Sequence, residues 1–367
     1  MIPLCVPEIR GNEWKYIKEC LDTNWVSSAG SFVNRFEEEF ARYVGSQKAV
    51  VTVNGTAALE LALRTLGIGA GDEVIVPSMT FISPVNTIKY VGAEPVFVDV
   101  CRDTFVMDTD KIEELITERT RAILPVHIYG HPVDMDKVME LSKKYKLYVI
   151  EDATESFGSQ YKGKATGTIG HIGCFSFNGN KLITTGAGGM LVTDHLEYGE
   201  QAKFLSNQTK VVTENKGFYH PEIGYNYRMP NLLAAMGCAQ LENVNDYIEI
   251  KRNHAMYYNE RLINIPGITL PSEKNESKNV FWLYSIIVES EYGVSRDELI
   301  DKLKENGVES RPFFMPVHDM PPYKDCQKGD LSFTYELANK GLNLPSSVGL
   351  TNQEIDKICS IIEACRK

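Results

Sequence analysis

The feature that most constrains the fold is an alternation of apolar runs and helical patterns between residues 48 and 195. Seven short runs rich in β-branched residues lie in this stretch, at residues 49–53, 73–77, 95–99, 122–126, 147–150, 173–177 and 189–193. Nearly continuous apolar strands separated by helices are typical of parallel sheets that are covered on both faces. The pattern therefore predicts an α/β fold, with a mostly parallel sheet and helices on both of its faces.

The pattern changes after about residue 240. A long helical stretch runs from Leu241 to about Ile263, and it is followed by a strand-like segment at 280–288 and by helical patterns at 296–306 and 352–365. These elements predict a smaller C-terminal α+β domain, and a length of 367 residues fits two domains. We expect a large domain over 1–245 and a small one over 246–367, although the long helix could belong to either.

Charge and cysteine content narrow the classes of function. Thirty-eight basic and 49 acidic residues give a net charge of −11, which disfavours binding to nucleic acid or to an anionic membrane. An anionic small molecule is still compatible, because a pocket can be locally positive. No apolar run approaches the roughly 20 residues that span a bilayer. The N-terminus lacks the succession of charged, apolar and small residues that marks a signal peptide. The eight cysteines form no CxxC pair and no zinc-ligand spacing, so we expect no metal site and a cytoplasmic location with reduced thiols.

The first candidate for chemistry is Asn54-Gly55-Thr56-Ala57-Ala58, between a predicted strand and a predicted helix. Free N–H groups and a hydroxyl at the N-terminus of a helix suit a phosphate. The alternative is a tight turn in which Thr56 caps the helix.

The second and third candidates are Asp152, at the end of an apolar strand, and Lys181, in a segment that leads into a glycine-rich turn. Asp152 could bind a metal, act as a base, pair with a protonated ring nitrogen, or simply cap a helix. A desolvated lysine can bond covalently to an aldehyde. A phosphate cradle, a strand-end carboxylate and a later lysine together are the set that pyridoxal phosphate requires.

The chain resembles the DegT/DnrJ/EryC1/StrS family of fold-type I aminotransferases, which act on nucleotide-linked keto sugars. Besides the three candidate segments, the resemblance is carried by residues 25–30, 77–81, 125–130, 224–229, 311–312 and 316–318. It extends over nearly the full length. It implies a pyridoxal 5'-phosphate-dependent aminotransferase that works as a homodimer with shared active sites.

The resemblance also implies a role for each cofactor-binding position. Lys181 would hold the cofactor aldehyde and shuttle a proton, and Asp152 would keep the pyridine nitrogen protonated. The remaining cofactor contacts would be the ring stack by Phe81, the phosphate contacts by Gly55, Thr56, Ala57 and Ser176, the ring-hydroxyl contact by Glu155, and a phosphate contact by Asn226 from the facing subunit.

The substrate positions are less specific. Arg228 and Arg311 are the candidate cations for a diphosphate or a carboxylate, and each could instead be a structural ion pair. Five further residues would border the sugar, namely Trp25, Ser27, Ser28, His318 and Tyr323.

The resemblance implies glutamate as the amino donor and a nucleoside-diphosphate keto sugar as the acceptor. Asn178-Gly179-Asn180-Lys181 favours the subgroup that aminates C4 of UDP-4-keto-6-deoxy-N-acetylhexosamines in bacillosamine- and legionaminic-type pathways. A GDP-perosamine synthase-like enzyme is the alternative. From another class, a non-catalytic regulatory protein that binds pyridoxal phosphate remains open.

Overall fold

The computed structural model describes residues 1–367. The α-helices, in chain order, are α1 (Glu13–Asp22), α2 (Ser31–Val44), α3 (Gly55–Thr65), α4 (Ile82–Tyr90), α5 (Met135–Tyr145), α6 (Leu196–Ser206), α7 (Asn231–Glu242), α8 (Val244–Leu262), α9 (Arg296–Glu305), α10 (Ser332–Lys340) and α11 (Asn352–Cys365). The strands are β1 (Lys48–Thr52), β2 (Glu73–Pro77), β3 (Glu94–Val98), β4 (Thr120–Ile123), β5 (Tyr148–Asp152), β6 (Gln160–Tyr161), β7 (Lys164–Ala165), β8 (Ile172–Ser176), β9 (Gly189–Thr193), β10 (Val211–Val212), β11 (Phe218–Tyr219), β12 (Ile268–Thr269), β13 (Ser277–Lys278), β14 (Tyr284–Val288), β15 (Arg311–Pro312) and β16 (Gly341–Leu344).

A seven-stranded sheet forms the centre of the molecule, in the order β1-β9-β8-β5-β4-β2-β3. The pairs β8–β5, β5–β4, β4–β2 and β2–β3 are parallel, and β9 runs antiparallel to both β8 and β1. The predicted α/β class is confirmed. All seven apolar runs of the sequence are strands of this sheet, with ends displaced by at most three residues.

Burial explains why these runs form the sheet. Every residue of β2 and β9 is buried, and successive side chains of a strand point to opposite faces. Both faces are therefore covered. Helix α2 supplies one of the covers with Phe32, Phe36 and Phe40, which recur at the four-residue spacing of a single helix face.

The C-terminal part forms a second, four-stranded antiparallel sheet in the order β12-β14-β16-β15. Helices α8, α9 and α11 contribute to a separate apolar cluster above it, which includes Tyr258, Tyr284 and Ile358. The final helix covers the predicted residues 352–365, and its first turn is closed by a reciprocal cap between Thr351 and Glu354.

Two predicted elements differ in the structure. The long helix predicted from Leu241 is interrupted at Asn243, which ends α7 and precedes α8. The strand predicted over 280–288 begins only at Tyr284, because Phe281 adopts a left-handed backbone conformation with φ +50°.

The domain boundary between residues 245 and 246 stays a prediction. Helix α8 contributes Tyr247 to the larger apolar cluster and Tyr258 to the smaller one, so the helix joins the two parts instead of separating them. None of the helices combines the length and the apolar character needed to cross a bilayer.

Candidate active site

A cavity of about 500 Å³ opens at the carboxyl edge of the central sheet. Strands β1, β2, β5 and β8 all end at this edge, which is where α/β sheets bind ligands. The C-terminal part closes the other side with Trp282, Arg311, Phe314 and Asn343. The cavity is thus lined by both parts of the chain.

One wall of the cavity is the N-terminus of α3. Asn54, which also lines the cavity, caps this helix, because its Oδ1 accepts from the N–H of Ala57 at 2.8 Å. Asn54 therefore takes the capping role that the sequence suggested for Thr56. The N–H groups of Gly55 and Thr56 lie in the first turn, where no helical carbonyl can accept from them. A Cβ on Gly55 would lie 2.9 Å from the Cβ of Ser176, so only glycine lets the two segments approach this closely.

Hydroxyl groups surround this helix end. Thr56 Oγ1 lies 2.9 Å from Ser83 Oγ, and Ser176 lines the cavity beside them. Thr80 also lines the cavity, and its Oγ1 is buried without a hydrogen-bond partner. A buried hydroxyl without a partner costs free energy unless a ligand satisfies it. This wall is suited to an anionic ligand rich in oxygen atoms.

Asp152 ends β5 and is almost fully buried. Its Oδ1 accepts from the N–H of Thr154 at 3.0 Å. Burial raises the pKa of Asp152, although the hydrogen bonds from Thr154 and the charge of Lys181 act in the opposite direction. A carboxylate with so few partners is suited to bind a cationic group of a ligand.

Lys181 lies in the loop between β8 and β9, and its Nζ faces the cavity. Glu155 Oε1 is 3.7 Å from this Nζ, and the ring centroid of Trp282 is 3.9 Å from it. Glu155 Oε2 accepts from the backbone N–H of Tyr129 at 2.9 Å. Burial raises the pKa of Glu155, and the charge of Lys181 opposes that shift. The amine of Lys181 and the carboxyl groups of Asp152 and Glu155 therefore line the same cavity.

The structure brings together about half of the residues that the sequence singles out. The predicted residues that line the cavity are Gly55, Thr56, Phe81, Asp152, Glu155, Ser176, Lys181 and Arg311. Among these, Arg311 is exposed and pairs with Glu309 at 3.0 Å. Ala57 is buried behind the wall, since its N–H already serves the cap.

The other predicted residues lie outside the cavity of their own chain. Trp25, Ser27, Ser28 and Asn226 are exposed elsewhere on the surface. Arg228 is buried, and its Nη1 pairs with Glu37 Oε1 at 2.6 Å, which is the structural ion pair that the sequence left open.

His318 and Tyr323 are also buried, and their polar atoms form hydrogen bonds with other side chains of the chain. The ring of His318 bonds Ser78 Oγ at 2.6 Å and Tyr335 OH at 2.8 Å, and Tyr323 donates to Asn86. The structure gives both residues a packing role and does not bring them to the cavity.

Thr80, Trp282 and Phe314 are among the cavity residues to which the sequence analysis assigns no role. Thr80 lies three residues beyond the end of β2, next to Phe81, and its signal is its place in the segment 77–81 that carries the family resemblance. Trp282 and Phe314 belong to the C-terminal part, far along the chain from the motifs. No local pattern marks them, because only the packing of the two parts brings them to the site.

These residues fit pyridoxal phosphate. The end of α3 and its hydroxyls suit a phosphate, the partly satisfied Asp152 suits a protonated ring nitrogen, and Lys181 supplies an amine. The model of the DegT/DnrJ/EryC1/StrS aminotransferase family matches residues 7–363. This protein belongs to that family.

Comparisons with individual proteins agree with this membership. The chain is 42% identical to the GDP-perosamine synthase of Caulobacter vibrioides, over 99% of this chain and 97% of that protein. It is 44% identical to the GDP-perosamine synthase of Escherichia coli O157:H7, over 98% and 97% of the two chains. The PLP form of the putative sugar aminotransferase Spr1654 from Streptococcus pneumoniae superposes with a TM-score of 0.93 at 27% identity, over 99% of this chain and 98% of that one.

Family membership settles the class of activity. The protein is a sugar aminotransferase of the DegT/DnrJ/EryC1/StrS family, and pyridoxal phosphate is its cofactor. The regulatory alternative without turnover loses its support, because the relatives are enzymes of one reaction class.

Proposed function

We propose that this aminotransferase transfers an amino group from glutamate to C4 of a GDP-linked 4-keto-6-deoxyhexose, which yields GDP-perosamine. One observation carries the proposal, namely the 42% and 44% identity with two GDP-perosamine synthases over nearly the whole chain. This similarity favours the GDP-linked sugar over the UDP-linked N-acetylhexosamine that the Asn178–Lys181 segment predicts.

The cofactor supplies an electron-withdrawing ring, which allows a proton to leave the carbon next to nitrogen and an amino group to be carried between substrates. The N-terminus of α3, with Thr56 and Ser176, would hold its phosphate. Phe81 would pack on its ring, since this side chain lines the cavity beside Phe314 at a centroid distance of 5.9 Å.

The two proposed catalytic residues act through proton positions. Asp152 would keep a proton on the ring nitrogen. Its carboxyl group is buried, so the negative charge would be stabilised mainly by the protonated nitrogen beside it. Lys181 Nζ would hold the cofactor's aldehyde and afterwards accept and return the proton that leaves the substrate carbon. Glu155 would accept from a ring hydroxyl while the N–H of Tyr129 fixes its other oxygen.

Charge in the cavity bears on how the acceptor binds. Its lining contains the cations Lys181 and Arg311 and the carboxyl groups of Asp152, Glu155 and Glu309. A cofactor phosphate and a sugar diphosphate would both need positive partners. Arg311 would take the diphosphate or the carboxylate of glutamate, since its guanidinium presents a bidentate fork to either group.

A homodimer would supply what one chain lacks. The hairpin of β10 and β11 exposes apolar side chains, with Val212 64%, Phe218 65% and nearby Ile223 81% exposed. Contiguous apolar exposure of this kind is typical of an interaction surface. Asn226 follows the hairpin and does not line its own cavity, so it would contact the phosphate in a facing subunit. A cytoplasmic location stays a prediction.

Turnover on a panel of GDP-, UDP- and dTDP-linked 4-keto-6-deoxy sugars tests the proposal. With glutamate as donor, we expect kcat/KM for the GDP sugar to exceed that for the UDP sugar by at least about a hundredfold, as for a site whose polar groups recognise one base. A preference for the UDP-linked N-acetylhexosamine would reverse the assignment. Equal rates on all three would mean that the base is not recognised.

A further inference from the structure

Trp282 contacts Lys181 at two separate points. The face of its indole lies 3.9 Å from Lys181 Nζ, measured to the ring centroid. Its Nε1–H donates to the backbone carbonyl of Asn180, the residue before Lys181, at 2.8 Å. The side chain is 4% exposed and lines the cavity. One aromatic residue therefore contacts both the amine of the lysine and the turn that carries it.

A strained turn brings Trp282 to this place. Phe281 has φ +50°, a conformation that is unfavourable for a bulky residue. The turn is held by the Oδ1 of Asn279, which accepts from the N–H of Phe281 at 2.7 Å. It is also held by Ser159 Oγ, which accepts from the N–H of Val280 at 3.0 Å. Strain that the surroundings maintain in this way is concentrated at functional sites.

The large part of the molecule leaves room for the turn. A Cβ on Gly130 would lie 3.0 Å from the backbone nitrogens of Phe281 and Trp282, and glycine avoids that collision. Gly130 itself has φ +106°, which also favours glycine. Trp282 thus reaches the lysine from the C-terminal part across a close backbone contact.

The two contacts restrict the side-chain rotamers of Lys181 and the backbone of its turn, respectively. A lysine side chain has many rotamers, and an aromatic face attracts its ammonium to one of them. The bond to Asn180 holds the backbone of the lysine turn, and Cys5 Sγ donates to the same carbonyl at 3.2 Å. The carboxyl group of Glu155, whose Oε1 lies 3.7 Å from Nζ, is a second neighbour of the amine. The amine is therefore held between a carboxyl group and an indole ring.

We propose that Trp282 is a positioning residue for Lys181, which orients the amine through its ring and the lysine-bearing turn through its indole N–H. The inference rests on the proposed role of Lys181 as the residue that bonds the cofactor. Trp282 itself takes no part in proton transfer. By limiting the conformations of the Lys181 side chain, it raises the fraction of time in which the amine can reach the aldehyde carbon.

The rate at which cofactor-free protein captures pyridoxal phosphate tests this inference without turnover. A bond forms between Nζ and the aldehyde carbon with loss of one water, and borohydride then reduces it to a stable amine. Samples reduced at successive times are digested, and mass spectrometry gives the labelled fraction of the peptide that contains Lys181. The variants are Trp282→Phe, which keeps a ring but loses the N–H, and Trp282→Leu, which loses both. Trp14→Phe, at a position that is 80% exposed, is the matched control.

We expect capture to slow about threefold in Trp282→Phe, which loses one neutral hydrogen bond. In Trp282→Leu, which also loses the ring face that limits the rotamers of Lys181, capture should slow by about tenfold or more. Amide hydrogen exchange in residues 178–183 should be faster in both variants and unchanged in Trp14→Phe. If Trp282→Leu does not fold, Trp282→Phe decides alone.

Capture and exchange at the wild-type rate in Trp282→Phe and Trp282→Leu would overturn the positioning role. Absence of label at Lys181 in the wild-type protein would instead overturn the proposed role of the lysine. The two failures are therefore distinguishable within one experiment.

Discussion

At the scale of residues, two adjacent carboxyl groups show how environment decides a role. Glu151 and Asp152 end the same strand, but their side chains point to opposite faces of the sheet. Burial raises the pKa of Glu151, yet the bonds from His127 and from the N–H groups of Gly167 and Gly170 outweigh it and hold that pKa low. The pKa of Asp152 is raised, because burial dominates its few bonds. Glu151 is a structural anchor, and Asp152 is left for a ligand.

This difference predicts a pH-dependent effect of Asp152→Asn in cofactor-free protein. A carboxyl group whose pKa is raised on folding contributes stability at low pH, and that contribution is lost as the pH rises through the folded pKa. Replacing the carboxyl group of Asp152 with a neutral amide removes this loss of stability at higher pH. We expect the thermal midpoint of Asp152→Asn to exceed that of the wild type by an amount that grows as the pH rises from about 4, the usual pKa of an aspartate, through the raised pKa of Asp152.

Asp103→Asn is the control with the opposite sign. Burial raises the pKa of Asp103, but its hydrogen bond from Lys274 outweighs this and lowers the pKa, so its replacement should reduce stability as the pH rises. The same Asp152→Asn protein should lose most of its amino transfer from glutamate, measured as 2-oxoglutarate released. A stabilised variant with normal transfer would remove Asp152 from the cofactor site.

At the scale of elements, the phosphate cradle depends on how closely α3 approaches β8. Gly55 has no positive φ, so its requirement is the space beside Ser176 and not a backbone conformation. A methyl group there would displace either the helix end or the serine. The cradle should therefore be more sensitive to substitution than the fold around it.

Gly55→Ala should fold and weaken the binding of pyridoxal phosphate by about tenfold, because the phosphate loses the equivalent of one charge-assisted hydrogen bond. Spectroscopic titration of cofactor-free protein measures this affinity. Gly179→Ala is the matched control, since a Cβ there meets nothing within 4 Å and the position lies in the lysine loop itself. Equal affinities in the two variants would mean that the α3 end does not hold the phosphate.

The elements also show what the sequence could and could not predict. The seven strands of the central sheet were predictable, because strands buried on both faces are continuous apolar runs. The start of α3, Asp152 and Lys181 line one cavity, as expected where parallel strands bring their carboxyl ends together, and their roles there stay predictions. The turn at Phe281 was not predictable, because its apolar residues read as a strand and only tertiary contacts hold it.

Predicted residues that depend on distant packing show the same limit. His318 has the residue type of a sugar ligand, yet the side chains of Ser78 and Tyr335 satisfy both of its ring nitrogens. The guanidinium of Arg228 is likewise paired with the carboxylate of Glu37. A sequence shows the chemistry of a side chain but not which partner the fold supplies.

At the scale of the whole molecule, the proposed shared site predicts complementation between two variants. In the proposal, Lys181 and Asn226 of one site come from different chains. Asn226→Ala alone should weaken cofactor binding about ten- to a hundredfold, the usual effect of losing a bond to a charged group. At a cofactor concentration too low to load Asn226→Ala, subunit exchange in an equal mixture of Lys181→Ala and Asn226→Ala should restore about a quarter of the sites, because half of the dimers are mixed and each has one intact site.

Lys181→Ala mixed with Asp152→Asn is the control, since both residues line the cavity of the same chain and no mixed dimer has an intact site. Activity is measured after subunit exchange has been verified by mass spectrometry of the intact dimers. No recovery in the test mixture would show that Asn226 does not act across an interface, and recovery in the control mixture would show that Lys181 and Asp152 of one site come from different chains.

The most direct test of the central claim follows the nitrogen itself. The wild-type protein, loaded with pyridoxal phosphate, is incubated with ¹⁵N-labelled glutamate and a GDP-linked 4-keto-6-deoxyhexose, and the nucleotide sugar is analysed by mass spectrometry. We predict a GDP-linked amino sugar that carries the ¹⁵N label, together with 2-oxoglutarate, and neither product from Lys181→Ala. No transfer of label to the GDP-linked sugar, with a labelled product formed only in a parallel incubation with the UDP-linked N-acetylhexosamine or in neither, would contradict the claim.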